Sequence, residues 1–290
     1  MSMKKSLLST LLASLTLMSL AACNGGQSQL EQVPSENVSA PVEQGVGIAS
    51  TGSKYKLNLK IDMKNSLKPG TIKNALSTKK VDLRSNAPQV YDQGNLGSCT
   101  AFAIAKGLRE HLAKKAGNHQ PLSALFFYYE ERKLDGNVTE DSGSSINTGM
   151  EVLKDTGVAT EATWPYDTAK FTQEPPSAAY ASAGQFKVKS TQQIKTFGEW
   201  RTALEKGQPV AFGIPVYESF MKSKGGVIPM PAAGEKMLGG HAIVSFGYDD
   251  EKEVIIVRNS WSAKWGDGGY CYIPYGYLSK GYIMQPWTAN

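Results

Sequence analysis

Cysteine is scarce in this chain: there are three, Cys23, Cys99 and Cys271, no two of them close together. That count is too small for a disulfide framework, and the spacing offers no paired thiols to grip zinc. Histidine is equally rare, with His111, His119 and His241 scattered along the chain. No metal-ligand spacing arises, and no metal or other cofactor is expected. Neither sign of charge dominates. The formal net charge is +5, the basic residues are dispersed, and no stripe of basic and aromatic residues forms, so nucleic acid is not an expected partner. Glycine-rich phosphate loops and internal repeats are both missing. Past the first two dozen residues no apolar run is long enough to cross a bilayer.

What is present begins at the amino terminus. Lys4 and Lys5 precede a short apolar run from Leu7 to Ala22 that is interrupted by Ser9, Thr10, Ser14, Thr16 and Ser19. A basic start before a short apolar centre reads as a secretory signal over 1–22. Its end, Leu20-Ala21-Ala22-Cys23, resembles the bacterial lipoprotein cleavage box, which makes Cys23 the expected lipidated first residue of the mature chain. Acyl chains on that residue would attach the protein to a membrane. Asn24 follows in place of an inner-membrane retention aspartate, so export to the cell envelope is expected, the outer membrane ahead of the inner, with secretion as the alternative. Residues 23–53, rich in Gly, Ser, Gln, Glu and Pro, read as a flexible tether. Within 54–80, Tyr55 to Met63 alternates apolar with polar residues as a half-buried strand does. The region reads as a short pro-segment or as an extension of the domain that begins at residue 81.

From residue 81 the texture is α+β. Phe102, Ile104, Leu108 and Leu112 mark one helical face after Cys99, with Gly117 as a stop. Ser123 is placed to cap a second helix through Phe126 to Tyr129, and Met150 to Lys154 form a third ending near Gly157. Thr196-Phe197-Gly198-Glu199 reads as a capping box opening a fourth, which stops near Gly207. Strands are expected over 210–214, 242–248, 254–257 and 269–274. The first part, about 81–195, is mainly helical, and about 196–290 is mainly β.

Four motifs run along the chain in a telling order: Gln93-Gly94-Asn95-Leu96-Gly97-Ser98-Cys99, Gly240-His241-Ala242, Asn259-Ser260-Trp261, and Trp265-Gly266 with Gly268-Gly269-Tyr270. With Val81-Asp82-Leu83-Arg84 ahead of them, they resemble the papain and cathepsin family of cysteine peptidases from about Val81 to the end. The resemblance implies a two-lobed fold, a helical lobe against a β-barrel lobe with the cleft between. It implies Cys99 as nucleophile, His241 as base, Asn259 as its orienter, and Gln93 with the Cys99 backbone N–H as the oxyanion hole. Trp261 would cover the Asn–His hydrogen bond and line the leaving-group side, and Gly143-Ser144 would pair with the extended backbone of a substrate. Ser145, Ile146 and Gly213 are candidate pocket walls.

The chemistry suits these residue types. A thiolate attacks where a thiol hardly does, and a helix start together with a protonated imidazole favours the thiolate. A Cys-His-Asn set is a variant of the acyl-transfer triad. The expected reaction is hydrolysis of peptides or proteins through an acyl-thioester, by a monomer. The rivals are an inactive binding module, an amide-transfer enzyme and an exopeptidase. Departures from the family pattern are Leu96 in place of a disulfide cysteine, Thr100 in place of an aromatic, and Gly143-Ser144 in place of two glycines. Cys271 reads as a buried inert thiol. His111 and His119 are expected to be structural or solvated.

Overall fold

The computed structural model describes residues 54–62, 66–68 and 78–290, so the signal, the tether and Cys23 lie outside the described residues. The chain enters through strand β1 (Lys80–Asp82) and reaches helix α1 (Cys99–Ala103), continued by a π-helical stretch (Ile104–Arg109) and α2 (Glu110–Lys115). Helices α3 (Ala124–Leu134), α4 (Ile146–Asp155) and α5 (Ser177–Ala183) follow. Then come β2 (Thr191–Gln193), α6 (Phe197–Glu205), β3 (Val210–Tyr217), α7 (Glu218–Met221) and β4 (Met237–Asp249). The chain closes with β5 (Val254–Arg258), β6 (Tyr270–Pro274), α8 (Gly276–Ser279) and β7 (Met284–Ala289).

Local chemistry explains where the helices begin and end. The hydroxyls of Ser123 and Ser145 accept the Phe126 and Thr148 amides at 3.0 Å, capping α3 and α4. Thr196 caps α6 through the Glu199 amide, but the Glu199 carboxylate turns back to the Lys195 N–H, one residue before the partner a standard capping box uses. Gly117, Gly157 and Gly207 all carry positive φ just past a helix, which L side chains resist.

The strands form one antiparallel sheet in the order β2-β7-β3-β4-β5-β6, with β1 pairing to β4. One apolar core lies between the α1–α4 helices and the sheet, and includes Phe102, Leu108, Phe127, Leu153 and Phe246. A second fills the β lobe around Trp200, Phe212, Tyr248, Ile255 and Ile273. The two meet along β4, where the α1 helix presses onto the sheet. Gly107, in the π-helical stretch, makes this approach possible: a Cβ there would stand 2.7 Å from Val244 Cγ1 and 3.1 Å from Arg258 Nη2. The helix that opens at Cys99 is thereby held against the strand that carries His241. This is the α+β, two-lobed arrangement expected from the sequence.

Several features differ from expectation. Strands β1, β2 and β7 and helices α5, α7 and α8 were not foreseen. Residues 54–62 alternate in burial as expected but form no strand element of their own. They run extended across the molecule, with one isolated parallel bridge from Asn58 to Gly240.

Candidate active site

Cys99 opens α1 and is fully buried, with its thiol reached by the backbone N–H of Ala242, the residue after His241 on β4. His241 pairs across the sheet with Ile214. Its Nε2 stands 2.8 Å from Asn259 Oδ1, just past the end of β5. The Ser260 backbone N–H donates to the same Oδ1 at 2.8 Å. A backbone amide only donates, so that atom is the oxygen, and His241 Nε2 carries the hydrogen. His241 Nδ1 is left as a buried acceptor with no hydrogen-bond partner. That is the nitrogen available to take a thiol proton.

Trp261 stacks on the imidazole, with ring centroids 4.7 Å apart and planes 23° from parallel, which shields the His–Asn bond from water. Phe220 and Trp265 support its other edges. Gln93 is fully buried. Its Nε2 donates to Leu96 O at 3.0 Å, and its Oε1 accepts the Ser260 hydroxyl at 2.6 Å. One amide hydrogen thus locks the loop before Cys99, and Ser260 fixes which way the amide faces. Tyr166 Oη donates to Gln93 O at 2.8 Å and lies 2.7 Å from Ser98 Oγ.

The cleft is occupied by the chain itself. Tyr55 stacks on Trp261 at 4.9 Å and donates to Trp261 O. Leu59 N–H donates to Gly240 O at 3.2 Å, and Lys60 N–H to Ser144 O at 2.9 Å. Leu57 and Leu59 are buried, and a Cβ at Gly213 would collide with the Leu59 side chain. A Cβ at Gly143 would collide with the Asn58 carbonyl, so the glycine lets two backbones touch. Three lysines of this strap reach three aspartates on the rim: Lys54 to Asp92 at 2.9 Å, Lys56 to Asp141 at 2.6 Å and Lys60 to Asp135 at 2.7 Å.

Covering changes the electrostatics. Burial pushes the Cys99 thiol up to about 12, against the pull of the Ala242 amide, and the Glu131 carboxyl adds to the rise. Burial holds the His241 imidazolium down at about 4, opposed by its bond to Asn259. Both shifts favour the uncharged forms of the two groups in the covered state. The largest cause of both shifts is burial, so access of water to the pair relaxes both.

The structure thus gathers Cys99, His241, Asn259, Gln93 and Trp261, and sets Gly143 and Ser144 against the strap. Among the candidate pocket walls Gly213 meets the strap, while Ser145 caps α4 and Ile146 is buried in the core. Cys271 is buried and free, and its thiol is pushed up by burial. His111 is buried against Phe246, and His119 is exposed. Ser260, Tyr166 and Asp141 escaped sequence reasoning. Ser260 stood in view within Asn259-Ser260-Trp261, but nothing in the sequence pairs it with a residue far upstream.

A family described as papain family cysteine protease matches residues 77–285. An uncharacterized peptidase C1-like protein of Acanthamoeba polyphaga mimivirus is 37% identical over 227 residues, covering 74% of this chain and 73% of that protein. Ananain of Ananas comosus is 32% identical over 189 residues, 62% of this chain, and the match spans only 50% of its length. Among solved structures, xylellain, a cysteine protease from Xylella fastidiosa, superposes with a TM-score of 0.71 at 32% identity, covering 87% of this chain and 98% of that one. With the matched family spanning well over half of its length, the chain belongs to the papain family of cysteine proteases, and it is a thiol protease.

Proposed function

We propose that Cys99 and His241 carry out peptide-bond hydrolysis and that residues 54–62 hold the enzyme as a covered precursor. Cys99 Sγ gives its proton to His241 Nδ1 and attacks the substrate carbonyl. The Gln93 amide and the Cys99 N–H receive the oxyanion. His241 then protonates the leaving amine, and the acyl-thioester is hydrolysed by a water that His241 activates. Asn259 keeps the imidazole in the tautomer that exposes Nδ1. The observation that carries this reading is the bond from His241 Nε2 to Asn259 Oδ1 beneath Trp261, with the thiol held by the next amide of the same strand.

The direction of the strap supports its inhibitory part. A substrate would place its acyl side on Gly143-Ser144 and its amine side by Trp261. The strap does the reverse: its earlier residue Tyr55 lies on Trp261, and its later residue Lys60 pairs with Ser144. A backbone running backwards fills the cleft without presenting a cleavable bond. Extended peptides with an apolar side chain facing Gly213 are the substrate class that the seat of Leu59 favours.

The cell-envelope location and the lipid on Cys23 rest on the Leu20-Ala21-Ala22-Cys23 sequence, and the monomeric state is likewise part of this proposal. The test is intact mass after exposure to an epoxysuccinyl thiol-protease inhibitor, with peptide turnover measured alongside. The parent should gain one adduct and cleave only slowly, through its open fraction, and Cys99→Ala should do neither while still folding. Turnover that survives in Cys99→Ala would refute the assignment. An unmodified mature terminus at Cys23 would remove the anchor.

A further inference from the structure

The loop leading into Cys99 has no covalent tie, since both described cysteines are free. It is tied instead by one carboxylate. Asp141 accepts the Gly97 N–H at 3.0 Å on Oδ1 and 3.1 Å on Oδ2, two residues before the nucleophile. The Tyr128 hydroxyl of α3 donates to Oδ1 of the same group at 2.6 Å. The Tyr128 oxygen in turn accepts the Gly143 N–H at 2.9 Å. One largely buried side chain therefore joins the nucleophile loop, a core helix and the glycine turn that a peptide backbone would pair with. The strap touches the same group from outside, through Lys56.

We propose that Asp141 is a positioning residue for the hydrolytic reaction: a carboxylate clasp that sets the Cys99 N–H and the Gly143-Ser144 turn in one frame. The clasp fits tightly. A Cβ at Gly97 would stand 2.9 Å from Asp141 Oδ1, so the loop sits on the carboxylate with no room for a side chain between them. Charge-assisted bonds from a carboxylate to neutral donors are the strong kind, and two of them here restrain the nucleophile loop and a core helix. The oxyanion donor at Cys99 and the substrate-pairing turn must keep their separation to a fraction of an ångström, because a misplacement of about 1 Å costs on the order of 10²-fold in rate. Asp141 touches neither thiol nor substrate, so its effect passes through Gly97 and Tyr128.

The test compares kcat and KM of the full chain carrying Lys56→Ala and Leu59→Ala, which loosen the strap and take its contact off Asp141 in every variant, normalised to titrated Cys99, for this parent, Asp141→Ala, Asp141→Asn and Tyr128→Phe. It rests on the hydrolase assignment, which Cys99→Ala tests on its own in the same assay. Asp141→Ala should lower kcat by about ten- to a hundredfold per titrated site. Asp141→Asn keeps an oxygen for the Gly97 N–H and should recover most of that loss. Tyr128→Phe removes the hydroxyl's bonds to Asp141 and from Gly143 and leaves the Gly97 bond in place, so it should raise KM with little change in kcat. A merely structural residue would lower the yield of titratable enzyme and leave kcat per site as it was. Asp141→Ala or, if that chain does not fold, Asp141→Asn with unchanged kcat and KM, together with parent KM in Tyr128→Phe, would overturn the proposal.

Discussion

Leu59→Ala should open the covered enzyme. Leu59 is 6% exposed and sits where Gly213 leaves space for its side chain. The substitution withdraws three carbons from an apolar seat, at about 0.8 kcal/mol per CH₂. Water can enter a surface cleft more easily than a closed core, which moderates the cavity cost, so ~2 kcal/mol is the working figure. Since about 1.4 kcal/mol is tenfold, the open fraction should rise about 30-fold. The assay is the rate at which a small alkylating agent modifies Cys99 in the full chain, read by intact mass. When the strap opens and closes faster than the thiol reacts, that rate is proportional to the open fraction. Burial keeps the covered thiol near 12, so the covered form contributes almost nothing to the signal. A Leu59→Ala rate within about twofold of the parent would mean that Leu59 does not hold the strap down, and the covering argument would fail.

Gln93→Ala removes the side-chain donor that Ser260 orients, and kcat should drop by about 10²–10³-fold with the fold intact, as when one oxyanion donor is lost elsewhere. A smaller effect in steady-state turnover would place the oxyanion on other donors. The His111 imidazolium is held down at about 4, first by burial and further by Lys115 and Arg258. The folded chain thus binds fewer protons than the unfolded one between about 4 and 6.5. The stability tied to this group is full above 6.5 and is lost as pH falls through 4. The melting temperature of His111→Phe relative to the parent should therefore rise steadily from pH 6.5 to 4 in thermal scans, and a flat difference would contradict the assignment.

Much of this was legible before any coordinates. Ser123 and Thr196 announce helices because a cap and its partner amide lie within one turn. Cys99, His241, Asn259 and Trp261 were visible because their immediate neighbours are as telling as they are. The roles of Asp141 and Ser260 were not, because Asp141 answers to Gly97 and Tyr128, and Ser260 to Gln93, across loops whose folding no local pattern encodes. Residues 54–62 show the limit most clearly. Their alternation was read as a strand, and the burial does alternate, but alternation reports two-sided exposure rather than membership of a sheet. Strand β7 was hidden by Pro286 and by the left-handed Gln285, which interrupt the period that would have marked it.

Strand β4 has a consequence for how errors in folding would show themselves. From Gly239 to Asp249 it is buried on both faces, so its apolar pattern alone would tolerate sliding by a residue. What pins it is geometric. The pairing with β5 shifts between Ser245 and Gly247, and at Gly247 the backbone of Val81 comes so close that a Cβ would strike its carbonyl oxygen. A chain that closed one residue out of step would keep its hydrophobic interior and its solubility, yet present Gly240 or Ala242 where the imidazole belongs. Specific activity in this protein is therefore also a gauge of sheet alignment, and a soluble but silent preparation is the form that a slipped β4 would take.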